Sequence, residues 1–374
     1  MNLPVEVIHQ SGQLDTAVQE IVDSRAIALD TESNSRHRNP EQLCLIQIAT
    51  LQKVYIIDTL LIGEITPLRG VLSDSSITKV IHGADYDILS LARHYGFSVR
   101  NIYDTTIAAR FIGITKFGLA ALIEDLLGIK IEKSARLQKA DWGLRPLSVE
   151  ALEYAATDVR YLLALRKILN QRLQTLKRMT WVTEECTRLE ELRYKAPDVE
   201  TAYLSVKGAS KLDGRNLAVL RALFLFREEE ALRQHRPPYF VMPESTVIYL
   251  ANNPTADLSK APGLGQNGLK RFGRGLRWAL NNGMASPPIN RPQPIKIERA
   301  TEEQVQRLSR LKEWRTSLSS SLSLDPYLIW PLTSLKRLAK APNTLSNESI
   351  SNDIRHWQRD AIASSLQACL ESLY

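Results

Sequence analysis

Cysteine is scarce: there are three in 374 residues, at Cys44, Cys186 and Cys369. Thiols so few and so far apart form neither a disulfide framework nor a zinc cluster, so a reduced, cytoplasmic setting is expected. Long apolar runs are also missing. The most apolar stretch, 43–63, is interrupted by Gln47, Gln52, Lys53 and Asp58, which argues against a membrane span. The opening Met1-Asn2-Leu3-Pro4-Val5-Glu6 lacks the basic start and apolar core of a signal peptide. Excess charge of one sign is small, with 48 Lys and Arg against 41 Asp and Glu, a net of +7. Together with 44% hydrophobic residues this excludes a disordered chain, and the length calls for two or three domains.

The charge that is present is unevenly placed. Residues 205–300 carry 15 Lys and Arg against 7 Asp and Glu, residues 1–204 carry 24 against 26, and 301–374 carry 9 against 8. A basic module beside a slightly acidic one suits a protein that handles a polyanion at a carboxylate-lined site.

The first half alternates strand and helix signals. Ala26–Asp30, Leu43–Ala49 and Val54–Asp58 read as buried strands, the last two as a hairpin, and Lys79–His82 as a fourth. Helical spacing follows from Ile88 to Tyr95, stopped by Gly96, and recurs at Thr105–Ile112 and Leu119–Leu127. Ser148-Val149-Glu150-Ala151 opens like a helix cap, and one long helix is expected from there to about Lys177. Beyond residue 205 the strand signal ends and the chain repeats itself. Pro238-Tyr239-Phe240-Val241-Met242-Pro243 returns 88 residues later as Pro326-Tyr327-Leu328-Ile329-Trp330-Pro331. The same offset pairs Leu220 with Leu308, Leu223 with Leu311, Phe226 with Trp314 and Leu250-Ala251 with Leu338-Ala339. Two tandem helical modules are therefore expected, joined by the Pro-rich stretch 286–299.

Three acidic signals stand out in the first half. In Asp30-Thr31-Glu32, residues i and i+2 of a strand project to one face, so two carboxylates stand together and require a cation or water. Hard oxygen donors without nearby Cys or His favour Mg²⁺ or Mn²⁺; a strand running into a polar loop with solvated acids is the plainer account. In His82-Gly83-Ala84-Asp85-Tyr86-Asp87, an acid in the first turn of a helix suits a cap as readily as a ligand. Asp87 leads an inward-turning face, and Asp85 equally suits the cap. In Tyr154-Ala155-Ala156-Thr157-Asp158, i to i+4 spacing puts phenol and carboxylate on one helical face.

In this order and spacing the motifs resemble ribonuclease D and its relative in the nuclear exosome, the four-acidic-residue 3′–5′ exonucleases of the tyrosine subtype. Asp30-Thr31-Glu32 with Leu45-Ile46-Gln47 matches the first motif, His82-Gly83-Ala84-x-x-Asp87 the second, and Tyr154 with Asp158 the third. Connecting stretches match as well: Tyr103-Asp104-Thr105, Ala108-Ala109-Arg110 and Ala140-Asp141-Trp142-x-x-Arg145-Pro146-Leu147. The chain departs at Ser33, where many family members carry an aromatic residue after the motif's Glu. The helical repeats resemble the HRDC domain.

The resemblance implies an α/β ribonuclease H-like exonuclease domain, a mixed sheet flanked by helices, over 1–204, followed by two all-α HRDC-like domains at 205–285 and 300–374. It implies Asp30, Glu32, Asp87 and Asp158 as ligands of two divalent metal ions, with Tyr154 as a further catalytic group orienting the attacking water. The expected activity is removal of 3′-terminal nucleotides from structured RNA such as tRNA precursors, releasing nucleoside 5′-monophosphates. A DNA 3′–5′ exonuclease and a non-catalytic RNA-binding scaffold are the alternatives.

Grip on RNA is expected from Lys270, Arg271, Arg274 and Arg277, close to Phe272 and Trp278 in the first helical module. Gly263-Leu264-Gly265-Gln266-Asn267-Gly268 fits the dinucleotide fingerprint, but it follows Ala261-Pro262 rather than a strand, and Leu269 stands where a P-loop needs Lys. No nucleotide cofactor is expected.

Overall fold

The computed structural model describes residues 3–132, 134–290 and 299–373. A six-stranded mixed sheet organises the first half, in the order β1-β4-β3-β2-β5-β6. Its strands are β1 (Val5–Ile8), β2 (Ala26–Ser33), β3 (Leu43–Ala49), β4 (Val54–Asp58), β5 (Thr78–Ile81) and β6 (Ile102–Asp104). β2, β3 and β4 form an antiparallel meander, while β1, β5 and β6 add in parallel. The central β3 and β4 are buried at every position, so they read as continuous apolar runs rather than as alternation.

The nuclease half carries helices α1 (Ser11–Val22), α2 (Thr59–Ile62), α3 (Leu68–Ser73), α4 (Asp85–Tyr95), α5 (Thr105–Phe111), α6 (Leu119–Leu127), α7 (Val149–Arg160), α8 (Leu162–Thr175) and α9 (Met179–Leu189). One face of the sheet packs a core that includes Ile27, Leu29, Ile46, Ile48, Ile88 and Leu91. The other face packs Ala28, Leu45, Ile56 and Val80 against Ala151, Ala155, Val159 and Leu165. Ser148 caps α7 as expected, accepting the Ala151 amide at 3.1 Å. The expected single long helix is two helices, broken at Tyr161 (φ −105°, ψ −7°). No Gly or Pro marks the break. It lets α7 lie over the central strands while α8 packs against α5 and α6, a tertiary demand that helical periodicity does not contain.

The helical half holds α10 (Gly214–Arg233), α11 (Pro238–Val241), α12 (Glu244–Asn252) and α13 (Gly265–Ala285), then α14 (Glu302–Leu322), α15 (Pro326–Ile329), α16 (Leu332–Lys340), α17 (Leu345–Ser349) and α18 (His356–Glu371). The repeat is exact in structure, because α10, α11 and α12 begin 88 residues before α14, α15 and α16. Leu223 and Leu311, like Leu250 and Leu338, are fully buried in equivalent places. Residues 291–298 of the Pro-rich stretch lie outside the described residues; before them, Ile289 N–H donates to the Gly214 carbonyl at 2.8 Å.

The two modules relate differently to the nuclease. The first packs around its own core, which includes Tyr203, Leu217, Leu223, Val247 and Leu276. The second shares a core with the nuclease. Trp357 of α18 stacks on Trp181 at 4.7 Å and meets Phe111 edge-on at 5.2 Å. Glu184 accepts the His356 and Trp357 backbone amides at the start of α18, and Arg355 pairs with Glu185 at 2.9 Å.

Candidate active site

The register of the sheet brings the first acids to one place. Asp30 and Glu32 leave β2 on the face covered by α7, while Thr31 points to the opposite face, where α4 packs. The chain then enters α4 through Gly83, whose φ of +75° suits glycine, and the Asp104 carboxylate accepts the Gly83 and Ala84 amides at 3.1 and 2.9 Å. The N-cap position of α4 falls on Ala84, so neither Asp85 nor Asp87 caps the helix. Asp85 is exposed. Asp87 turns inward, is 5% exposed, and accepts a 2.5 Å hydrogen bond from the Thr31 hydroxyl.

Asp158 comes from α7. One carboxylate oxygen each from Asp30, Glu32 and Asp158 lie within 4.8 Å of one another. Asp87 adjoins this triangle, close enough for its charge to act on Glu32 and Asp158. The consequence is electrostatic crowding. Burial, then the Asp158 charge, holds the Asp30 carboxyl well above the carboxylate range. Burial followed by the charges of Asp30, Asp158 and Asp87 pushes Glu32 to about 10. Burial, then Asp87, pushes Asp158 to about 7, and burial, then Asp30, raises Asp87. Tyr154, a turn before Asp158, is raised by burial and then by Asp158, Glu32 and Asp30, so its phenol keeps its proton at neutral pH. Its ring lies 6.1 Å from that of Trp142.

Asp30, Tyr154 and Asp158 open into a cleft of about 860 Å³ that also exposes His82, Leu119, Ile131, Glu150 and Glu153. Among the described residues its lining includes no Lys or Arg. An anionic phosphodiester cannot approach such a wall of carboxylates without added positive charge. The donor set consists of hard oxygens only, which fits a divalent cation of the Mg²⁺ class. A second sign is Gln47, fully buried directly across the ladder from Asp30, whose amide oxygen and nitrogen both lack a protein partner among the described residues.

Not every supporting residue is apparent from the motifs. Thr31, which holds Asp87, is hidden as the spacer between two acids. Arg145 clamps Asp58 with two bonds of 2.5 and 2.7 Å and so ties the loop before α7 to the end of β4. In the first helical module, Lys270, Arg271, Arg274 and Arg277 are all exposed on α13 and, among the described residues, form no salt bridge. Phe272, expected beside them, is instead a core residue at 6% exposure, because it falls on the face of α13 that packs on α10. Trp278 is 64% exposed.

Comparison with known proteins agrees with this geometry. The 3′–5′ exonuclease family matches residues 5–174 and the HRDC domain matches residues 216–277. Ribonuclease D of a Shewanella species is 32% identical over 294 residues, covering 77% of this chain and 75% of its own. The chain belongs to the ribonuclease D family. Ribonuclease D of Desulfotalea psychrophila is 29% identical over 337 residues, covering 89% of this chain and 90% of its own. The crystal structure of Escherichia coli ribonuclease D superposes with a TM-score of 0.75 at 25% identity, over 100% of this chain and 99% of that one. As a member of the ribonuclease D family the protein is a 3′–5′ exoribonuclease, a phosphodiester hydrolase with a nuclease domain and a helical C-terminal half.

Proposed function

We propose that this ribonuclease D homologue trims the 3′ ends of structured RNAs, tRNA precursors among them, by divalent-ion-assisted hydrolysis at the acid cluster. The observation that carries the reading is the convergence of Asp30, Glu32 and Asp158 within 4.8 Å, with Asp87 adjoining. The RNA class follows from the relatives, since the Escherichia coli neighbour is an exoribonuclease involved in structured RNA processing.

Asp30, Glu32, Asp87 and Asp158 would hold two divalent ions, Mg²⁺ or Mn²⁺, and these four carboxylates must shed their protons to do so. When bound, such ions supply positive charge that acidifies water and stabilises the departing 3′ oxygen. Tyr154 keeps its proton and so orients the attacking water through its hydroxyl rather than acting as a base. The Trp142 ring and the packing of α7 on the sheet hold that phenol in place. The water oxygen bonds to phosphorus as the P–O3′ bond breaks, releasing the terminal nucleoside 5′-monophosphate and leaving a new 3′-hydroxyl. Lys270, Arg271, Arg274 and Arg277 would contact phosphates further along the RNA. The second helical module, seated on the nuclease through Trp357, serves as a brace in this reading.

The test is hydrolysis of 5′-labelled RNA and DNA of equal sequence in Mg²⁺, Mn²⁺ or EDTA. Stepwise shortening of the RNA from its 3′ end, lost in EDTA, is expected. Preferential cleavage of the DNA would replace the substrate class, and RNA binding without cleavage would favour a scaffold.

A further inference from the structure

The first helical module meets the nuclease beside a pair of exposed aromatic residues. Tyr239 and Phe240, in α11, are 53% and 48% exposed, yet their rings stack on each other at 4.7 Å and 29°. The Arg236 guanidinium lies 5.3 Å from the centre of the Phe240 ring. The Tyr239 hydroxyl donates to the backbone carbonyl of Arg36, in the loop between β2 and β3. Two large half-exposed rings beside a guanidinium form one face, held in register with the nuclease by a polar contact.

That loop leads to the acid cluster. Arg36 lies four residues beyond Glu32, at most about 14 Å of chain. Between them, Ser33 shares a 2.5 Å hydrogen bond with Tyr86, itself 48% exposed and adjacent to Asp87. Arg36 and Arg38 are exposed and, among the described residues, have no acidic partner. The surface leaving the acids is therefore aromatic, then cationic, then aromatic again. The second module does not reproduce this. Leu328 stands in place of Phe240 and packs against the shared core, so Tyr327 keeps a guanidinium over its ring, that of Arg315 at 5.6 Å, but among the described residues has no second aromatic ring stacked on it.

We infer that Tyr239 and Phe240, with Arg236, Arg36 and Arg38, form a stacking platform for single-stranded RNA a few nucleotides upstream of the terminal residue. Bases have π-faces that stack on exposed rings irrespective of sequence, while the guanidinium groups meet the phosphates. The occupant is a nucleic acid rather than a protein segment because Arg236, over Phe240, and Arg36, whose carbonyl holds Tyr239, have no acidic partner among the described residues and complement phosphate. The inference rests on the exonuclease reading. It adds the track by which the 3′ strand is held while its end is cut.

Binding and cutting are measured separately. In EDTA, fluorescence anisotropy gives the affinity of the parent, Phe240→Leu and Tyr239→Leu for a labelled single-stranded RNA of about a dozen nucleotides. Loss of one stacked base predicts affinity weaker by about ten-fold or more in each variant, with recovery in Phe240→Trp. In Mn²⁺, hydrolysis of a dinucleotide too short to reach the platform is expected to be unchanged in all three variants. Parent-like RNA affinity in both Leu variants would overturn the platform, and is the result that a protein-docking role for these rings predicts. A parent that cuts neither RNA would instead sink the exonuclease reading, leaving the binding measurement to judge the platform alone.

Discussion

The acid cluster is a destabilising element until a cation neutralises it, and the size of that effect can be worked from Asp158. Its carboxyl titrates near 7 in the folded protein, against about 3.9 in an unfolded chain. Because the folded value is raised, the folded state binds more protons than the unfolded one between these two values. Metal-free stability therefore falls as pH rises through that window and does not recover above it. Three units correspond to an upper limit of about 4 kcal/mol, and the solvent that reaches part of Asp158 brings the expectation to about 2–4 kcal/mol. Glu32, titrating near 10, extends the decline to higher pH. For a domain of this size the Asp158 contribution amounts to roughly 5–15 °C in Tm. The assay is thermal unfolding of the parent and of Asp158→Asn, in EDTA and in Mg²⁺, at pH 5 and pH 8. In EDTA at pH 8 the variant is expected to melt above the parent, and at pH 5 the gap narrows to about a third, closing near pH 4. Mg²⁺ should raise the parent more at pH 8 than at pH 5. Equal melting of parent and variant at pH 8 in EDTA would refute the reasoning.

Three further outcomes are expected. Tyr154→Phe should lower kcat by about a hundred-fold with metal affinity retained, measured by single-turnover hydrolysis and calorimetric metal titration; an unchanged kcat would remove the phenol from the reaction. Replacing Lys270, Arg274 and Arg277 together by Ala should reduce the salt dependence of RNA binding by about 2–3 units of slope, read from affinity at several salt concentrations. Trp357→Ala should cost about 3–5 kcal/mol and release the second helical module from the nuclease, seen as a lower Tm and faster limited proteolysis between 290 and 300.

Much of this architecture is written in local pattern. The ends of β3 and β4, the cap at Ser148 and the 88-residue repeat depend on neighbours in sequence, and each appears where the pattern places it. Asp30 and Glu32 share a face for the same reason. Spacing alone leaves Asp85 and Asp87 as equal choices, and the helical phase of α4 decides it, turning Asp87 inward onto Thr31 while Asp85 faces solvent. What stays hidden depends on distant partners. β1 and β6 are short strands that exist by parallel pairing with β4 and β5. The break at Tyr161 is dictated by the separate surfaces on which α7 and α8 rest. The seat of the second module is equally silent, since Trp181 and Trp357 stand far apart in the chain and carry no joint signal. Phe272 shows the opposite error of local reading: a ring among cations suggests a stacking surface, yet helical phase sends it to the core.

The central claim is that buried acids from β2, α4 and α7 form one cation-dependent hydrolytic centre. Single-turnover digestion of a 5′-labelled RNA by the parent and by Asp30→Asn, at saturating Mn²⁺, addresses it directly. The account predicts a nucleotide ladder from the parent and a rate at least about a hundred-fold lower from the variant, with folding and RNA affinity preserved. A variant that shortens the RNA as fast as the parent would contradict it.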